Sequence, residues 1–228
     1  MGATDIDLAA ADRLLTTTRT VRKRLDLDRP VERAVIMECI SVATQAPTGS
    51  NLQGWRWVVV TDAAKRAAIG ELYRESIEPY HAIMSGFAEA TAEGKRVYGS
   101  SNYLVDALPR VPVHVIPCLY GKPDLLRVVL EGGGYPLPVS DNMAHTGFYG
   151  SIWPAVWSFM LAARARGLGS ALTTMHLGKE KEVGELLGIP DTATQIGLIP
   201  VAYYTGDGFK AAARRPADEI THWDGWNE

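Results

Sequence analysis

Apolar residues along the chain fall into two rhythms. Val31, Val35, Cys39 and Val42 recur near a 3.6-residue period, and Pro30 suits a first helical turn, so 30–44 is predicted helical. Trp55, Trp57, Val58, Val59 and Val60 form a β-branched and aromatic run that predicts a strand over 55–61. Asp62 is a natural N-cap for a helix over 63–73, with helical or mixed sequence following to 108. A second strand is predicted over 111–116, where Pro112 and Pro117 argue for an edge or a bulge. The apolar run 148–165 predicts one helix, closed by Arg166-Gly167-Leu168-Gly169, with both glycines read as C-cap chemistry. A short strand over 171–174, a helix over 179–187 closed by Gly188, and a strand over 195–204 complete the series, and a short helix over 5–15 precedes it.

Two stretches lack a rhythm. Residues 120–147 are the least regular, and Glu131-Gly132-Gly133-Gly134-Tyr135-Pro136 holds no predicted element. A long irregular segment within a compact domain is commonly functional. The glycine-rich stretch 131–150, ending among Phe148 and Tyr149 and followed by Trp153, is therefore expected to be a substrate lid. The polar tail 205–228 carries Trp223 and Trp226 and is expected to dock on another surface. The alternation of elements predicts an α+β fold, a single domain over 1–228 with helices around one mostly antiparallel sheet.

Composition narrows function by exclusion. Hydrophobic residues are 46% and charged residues 21%, which excludes wholesale disorder. With 23 basic and 26 acidic residues the net charge is -3, so no nucleic-acid partner is expected. Apolar runs break well short of the ~18 residues that span a bilayer, and no basic-then-apolar leader opens the chain, so no membrane association and a cytoplasmic location are expected. Cys39 and Cys118 sit in apolar surroundings and read as inert buried thiols. The five histidines make no H-E-x-x-H pair, so no metal is expected. No G-x-S-x-G elbow, phosphate loop or G-x-G-x-x-G is present, and no side-chain nucleophile suggests itself.

What remains suits an anionic, aromatic cofactor. Arg19, Thr20 and Arg22 offer two guanidinium forks and a hydroxyl, and such forks match phosphate oxygens. Arg214-Arg215-Pro216 is a second basic pair. Pro47-Thr48-Gly49-Ser50-Asn51 presents a hydroxyl, backbone amides and a carboxamide at a helix-to-strand corner. By spacing alone, the basic runs read equally as solvated surface and the corner as a simple turn.

An ordered set of motifs chooses between these readings. Thr18-Arg19-Thr20-Val21-Arg22, followed by Pro30-Val31, resembles the R-R-S-x-R opening of nitroreductase-family flavoproteins. Ala46-Pro47-Thr48-Gly49-Ser50-Asn51-Leu52-Gln53-Gly54-Trp55 is similar to their A-P-S-G-x-N-x-Q-P-W segment. Ala162-Ala163-Arg164-Ala165-Arg166-Gly167-Leu168-Gly169 resembles their A-A-x-x-x-G-L-G helix end. Leu187-Gly188-Ile189-Pro190, Ile199-Pro200-Val201-Ala202 and Arg214-Arg215-Pro216 follow in family order.

The resemblance implies a nitroreductase-like sandwich and a homodimer with two FMN sites lined by both subunits. Carried over by position, Arg19, Thr20 and Arg214 hold the phosphate and Arg22 sits by the flavin N1/O2 edge. Pro47, Thr48 and Asn51 come from the partner subunit, and Thr173, Thr174 and Met175 lie near N5. Thr18 stands where arginine is common, Gly54 where proline is, and Ala212 where lysine is frequent, so the phosphate site is less basic than the family pattern. The implied activity is reduction of nitroaromatics, quinones or similar electron-poor acceptors by NADH or NADPH, in a ping-pong sequence carried by flavin N5 without a side-chain nucleophile. Rival readings are a flavin-sequestering protein and a specialised relative such as a flavin-fragmenting enzyme.

Overall fold

The computed structural model describes residues 6–88 and 90–226. The chain runs through α1 (Leu8–Thr17), α2 (Arg33–Ala43), β1 (Trp55–Val60), α3 (Ala63–Ala88), α4 (Ala92–Ala107), β2 (Val113–Tyr120), α5 (Leu125–Gly132), α6 (Asp141–Gly150), α7 (Trp153–Ala165), β3 (Leu168–Ser170), α8 (Glu180–Leu187), β4 (Ala193–Gln195) and β5 (Ile199–Tyr203). The sheet order is β1-β2-β5-β3, with β4 also on β2, and every named pairing is antiparallel. This is the expected α+β sandwich.

β2 shows how the sheet divides the core. Its side chains point alternately to opposite faces. Val113, Val115 and Leu119 join α2 and α7 through Ile36, Cys39 and Phe159. Ile116 and Cys118 join α3, α4 and α8 through Ile69, Tyr73, Leu104 and Val183. Helices therefore cover both faces.

β2 also corrects the expectation drawn from its prolines, because it is the most connected strand and not an edge. Pro117 faces the gap between β5, which pairs with residues 113–115, and β4, which pairs from Cys118. Its carbonyl accepts Ile196 N on that side at 2.9 Å, so the missing N–H falls where the ladder is already interrupted.

Other boundaries shift for local reasons. α2 begins at Arg33, leaving Pro30 outside the helix, and α3 runs on to Ala88 with Pro79 inside it. The predicted helix 148–165 is two helices, since α6 ends at Gly150 and Pro154 opens α7. The predicted strand 171–174 sits instead at Leu168–Ser170, with Thr173 making a lone bridge to Leu198. Gly169 thus belongs to a strand, where a Cβ would meet Val21 at 2.9 Å, whereas Gly167 is the helix-ending residue at φ +78°. The predicted strand 195–204 divides into β4 and β5, and at the break a Cβ on Gly197 would meet Leu172 at 2.8 Å.

The stretch read as irregular holds α5 and α6. Leu125, Leu126, Val129 and Leu130 give α5 one apolar face, and the glycine run is its stop signal, with Gly134 at φ +76°. Ser140 caps α6 by accepting Met143 N. The predicted helix 5–15 is observed as α1, capped by Asp7, while its Asp5 lies outside the described residues. Beyond Tyr204 the described residues have only a short 3-10 turn at Asp218–Ile220, and Trp223 and Trp226 are 79% and 84% exposed. The last two residues of the predicted tail lie outside the described residues.

Candidate functional site

The Arg19–Arg22 segment lies along the β3 edge of the sheet. Thr20 bridges to Ser170 in parallel, and Val21 N donates to Ser170 O at 2.8 Å. Val21 and Leu25 anchor it by burying with Val111 and Ala202. The alternate residues are left for chemistry: Thr20 is exposed and Arg22 half-buried. Arg22 Nη1 donates to Ser100 Oγ at 3.0 Å, while its Nε is buried with no partner among the described residues. Burial lowers the Arg22 pKa, opposed by the nearby Tyr73 hydroxyl.

Arg22 opens into a cavity of about 470 Å³ whose wall includes Tyr73, Tyr80, Ser101, Thr173 and Thr174. Met175 lines it as well. Tyr73 OH lies 3.1 Å from Thr173 Oγ1, and Thr173 Oγ1 accepts Met175 N at 3.4 Å. Ser76 Oγ donates to Met175 O. The structure thus brings Arg22 together with Thr173, Thr174 and Met175, which lie about 150 residues away in sequence.

Arg19, Thr20 and Arg214 do not line this cavity. Arg19 Nη1 donates to Lys210 O at 3.0 Å, and Arg214 is exposed, bonding only to the carbonyl of Ala213. The segment between them is held by a residue that sequence reasoning missed. Arg24 Nε donates to Thr205 O at 2.7 Å, and its guanidinium stacks 4.3 Å over Phe209. Arg164 donates to Tyr204 OH at 2.6 Å from the other side. No local pattern announces these contacts, since Arg24 and Thr205 are 181 residues apart. Ser100 and Tyr73 were missed as well, although a tyrosine inside an amphipathic helix is the usual sign of a buried hydroxyl seeking a partner.

The 47–53 corner lies elsewhere. It lines a separate, mostly apolar cleft of about 300 Å³ whose wall includes Thr48, Leu119, Tyr120, Leu125, Val129 and Phe148. Pro47, Thr48 and Asn51 are therefore not brought to the Arg22 cavity within the described chain. Thr48 Oγ1 is buried without a partner. Ser50, Asn51 and Gln53 all adopt positive φ, at 50°, 52° and 49°. Non-glycine residues held this way cost on the order of 1 kcal/mol each and cluster at functional sites. The corner is fixed by Ser151 Oγ, which accepts Gly49 N at 3.2 Å and donates to Gly147 O at 2.8 Å.

Behind the Thr173–Met175 turn lie two buried histidines. His114 Nε2 donates to Leu108 O, 2.8 Å away, and both ring nitrogens of His176 are buried with no partner among the described residues. Burial lowers the pKa of each to about 4. Burial also pushes the Cys39 thiol up to about 11 and the Cys118 thiol up to about 12, so both stay protonated. Among the described residues no cluster could hold a metal ion, and no helix is long and apolar enough to cross a membrane.

Comparison with known proteins covers most of the chain. The sequence profile described as the Nitroreductase family matches residues 15–203. A 4-nitrobenzoate reductase from Nocardioides sp. (strain LMS-CY) is 25% identical over 95% of this chain and 92% of its own. An iodotyrosine deiodinase from Thermotoga neapolitana is 26% identical over 81% of this chain and 83% of its own. Among solved structures, a BluB-like flavoprotein from Clostridium difficile 630 superposes with a TM-score of 0.70 at 17% identity, covering 96% of this chain and all of the other. An iodotyrosine deiodinase bound to FMN and 3-iodo-L-tyrosine superposes with a TM-score of 0.65 at 21% identity, covering 93% and 98%.

Proposed function

The chain belongs to the nitroreductase family, and from that premise we propose that it is an FMN-dependent oxidoreductase that takes reducing equivalents from NADH or NADPH and passes them to an electron-poor aromatic or quinone acceptor. One observation carries the reading. The buried, partnerless Arg22 Nε stands at the wall of the cavity that also holds Thr173, Thr174 and Met175. An orphaned guanidinium nitrogen beside a cavity calls for an acceptor from a ligand. The flavin ring, with acceptors along its N1/O2 edge, meets that need.

When bound, FMN supplies the hydride chemistry. The protein's own residues do the rest. Arg22 places a fixed positive charge where negative charge gathers on reduction, and preorganised charge of that kind acts without reorganising. In this reading Arg19, Thr20 and Arg214 offer the donors for the phosphate. The Thr173–Met175 turn, braced from α3, closes the opposite wall.

The 47–53 corner lines its own cleft through Thr48, Gly49, Ser50 and Leu52, and in this reading its Pro47, Thr48 and Asn51 face the flavin of a second copy. The orphaned Thr48 hydroxyl and the positive-φ backbone at Asn51 support that role, because both are costly features that a ligand on the far side of an interface offsets. The active species is then a two-fold homodimer. The cleft they share with Leu125, Val129 and Phe148 gives the acceptor an apolar surface, with α5 and α6 as its cover.

Chromatography of the flavin released on denaturation tests the cofactor, and FAD or no flavin after reconstitution defeats the proposal. NAD(P)H oxidation with an added quinone separates an enzyme from a flavin-sequestering protein. Light scattering tests assembly, and a flavin-saturated monomer near 25 kDa removes the roles given to Pro47, Thr48 and Asn51.

A further inference from the structure

Tyr73 is placed to decide which way the Thr173 hydroxyl points. Its residue is 1% exposed, and among the described residues its hydroxyl has one hydrogen-bonding neighbour, Thr173 Oγ1 at 3.1 Å. A buried O–H left without an acceptor is costly, so the Tyr73 hydrogen goes to Thr173 Oγ1. Met175 N–H also points at Thr173 Oγ1, from 3.4 Å. A hydroxyl oxygen has two lone pairs and one hydrogen. With both lone pairs taken, the Thr173 hydrogen has no place left except the cavity that Thr173 lines beside Arg22.

The arrangement is rigid. Ser76, one turn along α3 from Tyr73, donates to Met175 O, so α3 grips both ends of the turn. α3 approaches so closely that a Cβ on Gly178 would lie 2.1 Å from Ser76 Oγ. Burial raises the Tyr73 pKa, which keeps the phenol a donor throughout the working range.

We propose that Tyr73 is a positioning residue that makes Thr173 an obligate hydrogen-bond donor toward the ring system of the bound cofactor. The inference rests on the flavin reading of this cavity. The turn lies near N5 by family position, where oxidised flavin offers an acceptor and reduced flavin carries a hydrogen. A committed donor there favours the oxidised form. Arg22, at the other edge, favours the reduced form, so the two residues pull the midpoint potential in opposite directions.

The test is the midpoint potential of the FMN-loaded protein, measured by dye equilibration. Tyr73→Phe keeps the ring and removes the hydroxyl. It is expected to weaken oxidised FMN roughly three- to tenfold relative to reduced FMN, a rise of about 15–30 mV for two electrons. Thr173→Val is expected to raise the potential at least as far, and Thr173→Ser to restore it. The double variant Tyr73→Phe/Thr173→Val is expected to match Thr173→Val alone, because residues acting through one group are not additive. An unmoved or lowered potential in Tyr73→Phe, or additive effects in the double variant, overturns the inference. Should Tyr73→Phe fail to fold, an unmoved potential in Thr173→Val overturns it equally. Wild-type protein that binds no FMN overturns the proposed function and this inference together, whereas normal FMN binding with an indifferent Tyr73→Phe overturns this inference alone.

Discussion

The two parts of the candidate site are built in contrasting ways. The Arg22 cavity is braced: its N-terminal wall is stitched to Ser170, and its Thr173–Met175 wall is gripped by Tyr73 and Ser76. The 47–53 corner is strained: three non-glycine residues sit at positive φ and its tie to the rest of the chain is Ser151. Bracing suits a wall that must hold a charge in one place. Strain suits a corner completed by something outside the chain. On the proposed dimer, the contrast separates residues whose value lies in their own protomer from residues whose value lies across an interface.

The sharpest way to break the braced half is acid. The folded pKa of His114 and His176 is lowered to about 4 from an ordinary 6.5. Between those values the unfolded chain binds protons that the folded chain refuses, so stability falls as pH drops through this window and levels off below it. Each histidine contributes up to about 3 kcal/mol of loss, an upper bound set by the size of the shift. Urea unfolding at pH 7 and at pH 5 checks this, and equal midpoints would contradict the burial of both rings.

Next in size is the phosphate edge. Arg19→Ala and Arg214→Ala are each expected to weaken FMN by about 1.5–3 kcal/mol, the scale of a hydrogen bond to a charged group, and the pair together to leave the protein nearly flavin-free. A flavin titration reads this directly. Because Arg214 is held only by its own backbone, unchanged affinity in Arg214→Ala would move the phosphate away from the tail while leaving the Arg22 cavity intact.

Arg22→Gln sharpens the comparison within the braced half. It keeps length and polarity but removes charge, and the expected loss of about 1–3 kcal/mol from the reduced form lowers the midpoint potential by roughly 20–65 mV. Oxidised FMN should be held almost as well as before. A phosphate role for Arg22 would weaken both forms equally and leave the potential alone.

The smallest effect tests the corner. Gln53→Gly removes the cost of φ 49° and is expected to be neutral or stabilising by about 0.5–1 kcal/mol in a thermal melt, the reverse of glycine's usual effect. Destabilisation by that change would show that the Gln53–Asn51 side-chain bond at 3.0 Å outweighs the strain.

The sequence made the braced half partly legible. Arg22 and the Thr173–Met175 turn, named together only by family resemblance, line one cavity, and β1, α8 and the antiparallel sheet follow from periodicity. Boundaries failed where tertiary contact overrode a local signal. Pro117 reads as an edge residue until β4 and β5 leave a gap beside it. Gly169 reads as a cap until Val21 is seen lying across it. The α5 helix was hidden because its glycine stop was taken for irregularity. Arg24 carries no readable signal and Tyr73 only that of a hydroxyl in a helix, because each acquires its role from a partner at least 100 residues away.

That separation sets the order of events during synthesis. The strand carrying Arg19 to Arg22 leaves the ribosome early, yet its backbone partner is Ser170 and the clamp of Arg24 closes on Thr205. Closing so long a loop yields nothing until both ends exist. A nascent chain therefore displays Arg19 and Arg22 with no wall behind them until the segment through Thr205 has emerged. On the proposed function, flavin capture then follows the emergence of that segment and draws on a free pool of the cofactor.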